Sequence, residues 1–422
     1  MRYLEIAGGK PLSGEITIQG SKNAALPVLA AALLGEGPCV IENCPGIRDV
    51  EDTLAIIEML GCKTHRDGTT VSVEADQVKK CEISGMEAIR IRSSILFLGA
   101  LIGRMRKAVL PHPGGCAIGS RPIGFHLEAL QALGVSFSEQ HPDAGEQKRI
   151  FARAEYLHGG EIHLAVPSVG ATENSILAAV LADGETVIEN AALEPEVEAL
   201  CQFLNRRGAD IARKTDGRIR IRGKRTLSPV RFRLNADRIV AGSYLLATAA
   251  CGGGIRVRNL PVGELGALLQ ILEQMGVCVS RDGTVYAGGQ IRAVDYVETA
   301  PYPGFPTDLQ SPLMAALCLA RGKSRIRETI FESRFKTAKQ LRRMGARIVT
   351  DGSCAVIDGG GRLNGAELCT PDLRGGAALV AAALAASGRS TVSGYEYIAR
   401  GYEDICRDFR SLGADISMKQ RQ

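Results

Sequence analysis

An internal repeat of roughly 70 residues constrains the fold of this chain more than any other feature. Each copy has an Ala/Leu-rich helix, a Gly-containing turn, a short β-branched strand, a second helix and a further strand. The second helices end at Leu60-Gly61, Leu133-Gly134, Arg207-Gly208, Met275-Gly276, Met344-Gly345 and Leu412-Gly413. Glycine at this place suits the left-handed residue that closes a helix. The sequence therefore predicts six matching units.

The strand half of the repeat is also visible. The segment from Leu33 to Asn43 reads L-L-G-E-G-P-C-V-I-E-N, and Leu181 to Asn190 reads L-A-D-G-E-T-V-I-E-N. The copy at 106–110 is the most degraded. Units that pair strands with helices predict the α/β or α+β class, here six βαβ-type repeats.

The six units divide naturally into two sets of three. We therefore predict a first domain at residues 22–235 and a second domain made of residues 1–21 and 236–422. The first strand is assigned to the C-terminal set, so the chain would pass between the domains twice. A chain of 422 residues is also too long for one ordinary hydrophobic core.

Composition excludes several functions. The net charge of +5 is spread along the chain and aromatic residues are few, which argues against nucleic-acid binding. No apolar run is long enough for a bilayer or a signal peptide, so we expect no membrane partner and a cytoplasmic location. Twelve cysteines without regular pairing indicate free thiols in a reducing compartment. No Cys-x-x-Cys or His-x-x-x-His spacing occurs, so no metal site is predicted.

A Gly- and Pro-rich stretch at 111–126 reads P-H-P-G-G-C-A-I-G-S-R-P-I-G-F-H. Glycine adds backbone freedom and proline removes a donor, so this composition predicts a long loop rather than a helix or strand. The loop would present Cys116 together with Arg121, and a nearby cation favours the reactive thiolate. The alternative is a buried structural cysteine in a surface turn.

Two predicted helix starts carry polar residues suited to anions. Lys22 begins an Ala/Leu-rich helix, where the helix dipole disfavours a cation unless an anion is bound there. The alternative is a solvated lysine. The segment P-S-V-G-A-T-E-N at 167–174 opens another helix, and its donors suit either a phosphate or simple capping. Periodicity does not decide which of Arg90 and Arg92 points towards a ligand.

The C-terminal half contributes a carboxylate and three arginines. Asp308 ends the proline-rich arm T-A-P-Y-P-G-F-P-T-D, which suits either a helix cap or a rigidly held general base. Arg334, Arg374 and Arg400 each follow a strand signal, at matching points of three repeats. Arginine binds carboxylates and phosphates in bidentate fashion. Asp372 is placed to orient Arg374. The sequence thus predicts one shared anion site.

Taken together, these motifs closely resemble the UDP-N-acetylglucosamine 1-carboxyvinyltransferase family. The motifs occur in order along the whole chain: S-K-N-A-A-L-P, P-G-G-C-A-I-G-S-R-P, P-S-V-G-A-T-E-N, A-D-R-I, P-Y-P-G-F-P-T-D, F-E-S-R-F, D-L-R and R-G-Y-E. The resemblance implies two domains, each a threefold inside-out α/β barrel, with the active site in the cleft between them. It also implies transfer of enolpyruvyl from phosphoenolpyruvate to the 3-hydroxyl of UDP-N-acetylglucosamine with release of phosphate. That reaction is the first committed step of bacterial peptidoglycan synthesis.

The resemblance assigns roles to individual residues. Cys116 would protonate the methylene carbon and can form a covalent adduct with phosphoenolpyruvate, Asp308 would be the base for the sugar hydroxyl, and Lys22 is the third catalytic residue. Phosphoenolpyruvate is expected at Lys22, Asn23, Arg121, Arg334, Arg374 and Arg400. UDP-N-acetylglucosamine is expected at Arg92, Arg121, Pro122, Ile123, Gly124, Phe125, Ser168, Val169, Gly170, Asp308 and Ile330. Supporting roles fall to Asp237 and Asp372. No separate cofactor is implied, and fosfomycin, which alkylates the family cysteine, is expected to inhibit.

Four positions depart from the usual family pattern. Gly124 and Ala399 stand where the pattern has Asp, Val240 stands for Glu, and Ser333 stands for Asn. These departures leave open a divergent, non-catalytic paralogue that binds a nucleotide sugar. A transferase of the shikimate-pathway type is a weaker alternative, because that family lacks the cysteine loop.

Overall fold

The computed structural model describes residues 2–85, 90–113, 118–119, 122–140 and 148–420. The α-helices are α1 (Lys22–Ala31), α2 (Arg48–Met59), α3 (Leu96–Met105), α4 (Gly124–Gln131), α5 (Val169–Ala179), α6 (Pro195–Arg206), α7 (Arg238–Cys251), α8 (Gly266–Gln274), α9 (Gln310–Leu317), α10 (Lys336–Arg343), α11 (Leu373–Ala385), α12 (Tyr395–Ile398) and α13 (Ile405–Ser411). The first strands are β1 (Arg2–Ala7), β2 (Leu12–Ile16), β3 (Pro38–Glu42), β4 (Lys63–Asp67), β5 (Thr70–Glu74), β6 (Lys107–Pro111), β7 (Ser136–Gln140), β8 (Arg149–Arg153), β9 (Glu161–His163), β10 (Glu185–Glu189), β11 (Asp210–Arg213) and β12 (Ile219–Arg222). The remaining strands are β13 (Val230–Arg233), β14 (Gly253–Val257), β15 (Cys278–Val279), β16 (Thr284–Ala287), β17 (Tyr296–Glu298), β18 (Lys323–Arg327), β19 (Arg347–Asp351), β20 (Cys354–Asp358), β21 (Glu367–Cys369), β22 (Arg389–Ser393) and β23 (Asp415–Gln420).

These residues form six sheets, and five of them share one four-stranded plan. In the sheet β13-β3-β5-β4, β3 runs parallel to β13 and antiparallel to β5, and β4 is antiparallel to β5. Strands β3 and β4, which α2 connects, are therefore parallel, with β5 inserted between them. The same plan gives the sheets β11-β12-β10-β9, β15-β16-β14-β2, β17-β18-β20-β19 and β21-β22-β1-β23. The predicted repeat and its mixed α/β class are confirmed.

The remaining sheet, β6-β8-β7, keeps three strands within the described part of the chain. In place of a fourth strand, Glu82 makes an isolated parallel bridge to Val109. The adjoining backbone bonds run from the Ile83 amide to the Val109 carbonyl and from the Val109 amide to the Cys81 carbonyl, each 2.8 Å long. This sheet contains the repeat that the sequence marks as most degraded.

The N-terminal strands complete sheets made by the C-terminal half. Strand β1 lies antiparallel between β22 and β23, and β2 lies parallel to β14. Among the described residues, those between 20 and 113 and between 122 and 235 form a first unit, and residues 2–19, 118–119 and 236–420 form a second unit.

In each unit, helices form the interior and sheets form the outside. In α11 every residue from 373 to 384 is buried, and a helix that is apolar all round belongs inside a core. Helix α11 contacts both α7 and α9, and in the first unit α3 contacts α1 and α5. Strands such as β18 alternate exposed and buried side chains, as expected for a sheet with one face in water. This is the inside-out arrangement.

The glycines that close the second helices have the left-handed conformation that the sequence predicts. Their φ angles are 94° at Gly61, 88° at Gly134, 97° at Gly208, 82° at Gly276, 96° at Gly345 and 81° at Gly413. An L-residue with a side chain is disfavoured in this region, so these six glycines mark the repeat boundaries. None of the helices in the described ranges is long and apolar enough to cross a membrane.

Candidate active site

The acidic and basic residues predicted around Asp308 lie together in the second unit. Asp308 lies in a 3₁₀ turn at Thr307–Leu309 that leads into α9. Its Oδ1 is 2.5 Å from Nη2 of Arg334, and its Oδ2 is 3.2 Å from Nη2 of Arg374. Both guanidinium groups are buried. One carboxylate therefore joins two buried cations that come from different repeats.

Asp372 fixes the start of the helix that carries Arg374. It is the N-cap of α11, and its side chain accepts hydrogen bonds of 3.0 Å from the backbone amides of Arg374 and Gly375. Its Oδ1 also lies 3.7 Å from Nη1 of Arg334. Capping bonds of this type set the direction in which the first helical side chains leave the backbone. Asp372 thus lies against both arginines of the Asp308 cluster.

Arg374 is a permanently charged group in a buried place. Burial alone lowers the pKa of a guanidinium, but Asp308, Tyr402 and Asp237 together raise the pKa of Arg374 above its usual value. Asp237 is itself buried and caps α7, accepting bonds of 2.8 and 3.0 Å from the amides of Ile239 and Val240. Burial raises the pKa of Tyr402, although Arg374 and Ser243 oppose that shift. Both shifts favour a neutral Tyr402 beside a charged Arg374.

The sequence predicts that Arg400 follows a strand. In the structure, Arg400 follows the short helix α12. The next residue, Gly401, lies against α11, since an added Cβ would be 2.8 Å from Cδ2 of Leu373. Gln19 donates to the Gly401 carbonyl at 3.1 Å and accepts from the Glu403 amide at 2.9 Å. The segment that carries Arg400 is therefore held beside the start of the helix that carries Arg374. Ile330, the remaining predicted contact in this unit, is exposed.

Lys22 in the first unit has a buried acidic partner. It is the first residue of α1, directly after Ser21, whose hydroxyl accepts from the Ala24 amide at 3.3 Å. Its Nζ lies 2.8 Å from Oδ2 of Asp49 in the first turn of α2. Lys22 is 9% exposed and Asp49 is 2% exposed. The carboxylate offsets the unfavourable position of a cation at a helix start.

Asn23 lies beside a buried acidic group. Its Nδ2 donates to Oε1 of Glu196 at 3.3 Å. Burial, reinforced by Glu196 and Glu194, raises the pKa of Glu173 well above its usual value. The same surroundings therefore favour the protonated form of Glu173.

Two of the segments predicted to bind the nucleotide, at the starts of α4 and α5, lie next to each other in the first unit. Ser168 caps α5, accepting from the Ala171 amide at 3.4 Å, and Val169 and Gly170 begin the helix. An added Cβ at Gly170 would lie 2.9 Å from Cε1 of His126 in α4. Gly124 and Phe125 form the start of α4. Two helix N-termini thus lie side by side, and the first backbone amides of a helix have no partner within the helix.

Asn174 connects this pair of helices to the segment that carries Arg92. Its Nδ2 lies 2.7 Å from Nδ1 of His126 and donates to the Ile95 carbonyl at 2.9 Å. Its Oδ1 accepts from the Gly99 amide at 2.8 Å. Arg92 begins the 3₁₀ turn Arg92–Ile95 that leads into α3. A single buried amide therefore holds three of the predicted nucleotide-binding segments together.

The two predicted nucleotide contacts just ahead of α4 differ in their exposure to solvent. Pro122 is exposed and Ile123 is buried ahead of α4. Cys116 and Arg121 lie outside the described residues. Asp49 and Gln19 escaped sequence analysis, since an acid in a helix first turn and a polar residue after a strand are common patterns. In the ranges that the structure describes, no group of three or more His, Cys, Asp and Glu side chains could hold a metal ion.

Comparisons with known proteins agree with this architecture. The family model described as EPSP synthase (3-phosphoshikimate 1-carboxyvinyltransferase) matches residues 6–409. The protein UDP-N-acetylglucosamine 1-carboxyvinyltransferase 2 of Caldanaerobacter subterraneus is 45% identical over 420 residues, which are 99% of each chain. The UDP-N-acetylglucosamine 1-carboxyvinyltransferase of Clostridium botulinum is 41% identical over 99% of each chain. The chain belongs to the UDP-N-acetylglucosamine 1-carboxyvinyltransferase family.

Solved structures of enolpyruvyl transferases share the fold. The enolpyruvyl transferase NikO from Streptomyces tendae has a TM-score of 0.88 at 28% identity, covering 100% of this chain and 99% of that one. EPSP synthase from Acinetobacter baumannii has a TM-score of 0.75 at 18% identity and full coverage of both chains. The second likeness shows the fold alone. The inside-out α/β architecture expected of this family is confirmed.

Proposed function

We propose that this protein transfers the enolpyruvyl group of phosphoenolpyruvate to the 3-hydroxyl of UDP-N-acetylglucosamine and releases phosphate, as in the first committed step of peptidoglycan synthesis. The observation that carries the proposal is the cluster of Asp308 with two buried arginines. It combines fixed cations for an anionic substrate with a carboxylate able to take a proton. The names of the whole-chain relatives supply the substrates.

The proposed chemistry is an addition followed by an elimination. Cys116 gives a proton to the methylene carbon of phosphoenolpyruvate, which leaves positive charge on the adjacent carbon. The sugar 3-oxygen attacks that carbon while Asp308 accepts the hydroxyl proton. The Cys116 thiolate then takes back a proton from the new methyl group as phosphate departs, which regenerates the double bond and the thiol. Cys116 could also add to the same carbon, which would give the covalent adduct that the resemblance implies.

The cations are proposed to bind the negatively charged groups of phosphoenolpyruvate. Arg334 and Arg374 are proposed to bind the carboxylate side of phosphoenolpyruvate, since both are rigidly held by carboxylates. Lys22, Asn23, Arg121 and Arg400 are proposed to bind the phosphate. Preorganised charges of this kind usually supply the largest part of catalysis, because they need no reorientation during the reaction.

The adjoining helix starts of the first unit are proposed to bind the nucleotide sugar. The amides at the starts of α4 and α5 suit a diphosphate, because helix N-termini attract anions. Gly124 retains its backbone amide although it lacks the usual carboxylate. Arg92 and Ser168 would complete the diphosphate contacts, and Ile330 and Asp308 of the second unit would contact the sugar.

The experiment that tests this function measures phosphate release from phosphoenolpyruvate with and without UDP-N-acetylglucosamine. Wild type is compared with Cys116→Ala, and Cys278→Ala serves as a control because Cys278 is an exposed thiol of the second unit. We expect release only with the nucleotide sugar, its loss in Cys116→Ala, and normal release in the control. Intact mass after incubation with phosphoenolpyruvate should show an adduct that Cys116→Ala lacks. Nucleotide-sugar binding without any release would instead indicate a non-catalytic paralogue.

A further inference from the structure

Glu328, directly after β18, is a buried carboxylate to which sequence analysis gave no role. It is 3% exposed. Its Oε1 accepts from the Thr299 hydroxyl at 2.9 Å and from the amides of Ile330 and Phe331 at 2.9 and 3.1 Å. Its Oε2 accepts from the Thr307 hydroxyl at 2.9 Å. One carboxylate thus binds donors from three segments of the second unit.

The Oε2 side of Glu328 holds the turn that presents Asp308. Thr307 directly precedes Asp308, and the two share the same 3₁₀ turn. The Thr307 carbonyl also accepts from Nε of Arg334 at 3.3 Å. The side chain of Thr307 is therefore fixed by Glu328, and its main chain is fixed by the arginine that pairs with Asp308.

The Oε1 side holds the connection that carries Arg334. The amides of Ile330 and Phe331 begin the connection from β18 to α10, and the guanidinium carbon of Arg334 lies 5.7 Å from the centre of the Phe331 ring. The Thr329 amide donates to the Thr299 hydroxyl at 2.9 Å, which attaches this connection to the proline-rich arm. Both partners of the Asp308–Arg334 pair are thereby anchored to Glu328.

We infer that Glu328 is a positioning residue, which sets the geometry of the Asp308–Arg334 pair by holding the two segments that carry it. The inference rests on the proposed function. A catalytic group must be held within about 0.5 Å of its productive position, and the residues around it supply that precision. Glu328 touches neither Asp308 nor Arg334 through its own side chain, so it acts through Thr307 and the main chain at Ile330 and Phe331.

Three variants test the inference in the full-length protein. Thr307→Val removes the hydroxyl that joins Glu328 to the Asp308 turn and keeps the three bonds to Oε1. Thr307→Ser restores that hydroxyl. Thr248→Val is the matched control, because the buried Thr248 hydroxyl donates to the Tyr244 carbonyl at 2.9 Å inside α7, away from the cluster. Each is compared with wild type by kcat, KM and thermal midpoint.

For Thr307→Val we expect kcat to fall about 10- to 100-fold, since small misplacements of reacting groups cost this much. We expect KM for both substrates to change by less than about twofold, because the ground-state cations remain. Thr307→Ser should recover most of the lost kcat, and Thr248→Val should lose thermal stability without a matching loss of kcat.

Two results would overturn the inference while leaving the proposed function intact. One is an active wild type with unchanged kcat in Thr307→Val. The other is a kcat loss in Thr307→Val that Thr248→Val shares at equal thermal destabilisation, which would give the hydroxyl a purely structural role. An inactive wild type would refute the proposed function, and the role of Glu328 with it.

Discussion

Replacing Asp308 by Ala tests how two buried arginines are kept in place. At separations of 2.5 and 3.2 Å, Coulomb attraction with an effective dielectric constant of 20 gives about 7 and about 5 kcal/mol before desolvation is subtracted. Removing one partner of a buried ion pair costs about 3 to 5 kcal/mol. The Asp308 side chain is 27% exposed, so we expect the lower end of that range, about 3 kcal/mol.

The assay is the thermal midpoint of the second unit, with and without phosphate. For a unit of about 200 residues, 3 kcal/mol corresponds to a decrease of about 6 to 12 °C. The two units need not unfold together, so hydrogen exchange of α11 peptides should follow the transition locally. Phosphate should raise the midpoint of Asp308→Ala more than that of wild type, because an anion can replace the lost carboxylate and binding to the folded state stabilises it.

Asp358→Ala is the control for this prediction. Its carboxylate lies 3.4 Å from Nε of Arg347 on the surface of the same unit, and exposed pairs contribute about 1 kcal/mol or less. If Asp308→Ala melts like Asp358→Ala and gains no extra stability from phosphate, Asp308 does not compensate the arginine charges and our reasoning is wrong.

Three further predictions concern the first unit. Asp49→Ala should raise KM for phosphoenolpyruvate about tenfold, because Lys22 loses the partner that orients it, and steady-state kinetics at fixed ionic strength will show this. Gly134→Ala should destabilise the protein more than Gly208→Ala in chemical denaturation, although both have positive φ and share a penalty of about 1 kcal/mol. An added Cβ would lie 2.7 Å from a backbone carbonyl at Gly134, whereas nothing lies within 4 Å at Gly208. Burial raises the pKa of Cys201 to about 12, so its thiol should resist iodoacetamide at pH 8 until the protein unfolds, as peptide mass analysis will show.

Sequence periodicity predicted the repeat well, because it depends on local preferences. The glycine after each second helix adopts positive φ for reasons contained in a few residues. The sequence also places β1 with the C-terminal set, where it pairs with β22 and β23. The sequence also predicts the rigid arm that ends at Asp308, since proline restricts the backbone.

The partners of the site residues could not be predicted in the same way. Asp49 reaches Lys22 from the next helix, and Glu328, which follows β18, binds Thr307 in the turn before α9. Both contacts depend on tertiary packing. In sequence, each carboxylate resembles an ordinary surface acid. The sequence predicts Arg400 after a strand, but Arg400 follows α12, because the sixth repeat inserts that short helix between β22 and α13.

The three-stranded sheet β6-β8-β7 has an evolutionary consequence. A chain that contains several copies of one folding unit can let a single copy diverge, since each sheet has its own backbone ladder and the buried helices are shared by the whole unit. The copy that keeps three strands in the described residues is also the one whose connection from β6 to α4 contains the P-G-G-C segment. In such a chain, one copy can change its sequence while the other copies preserve the scaffold.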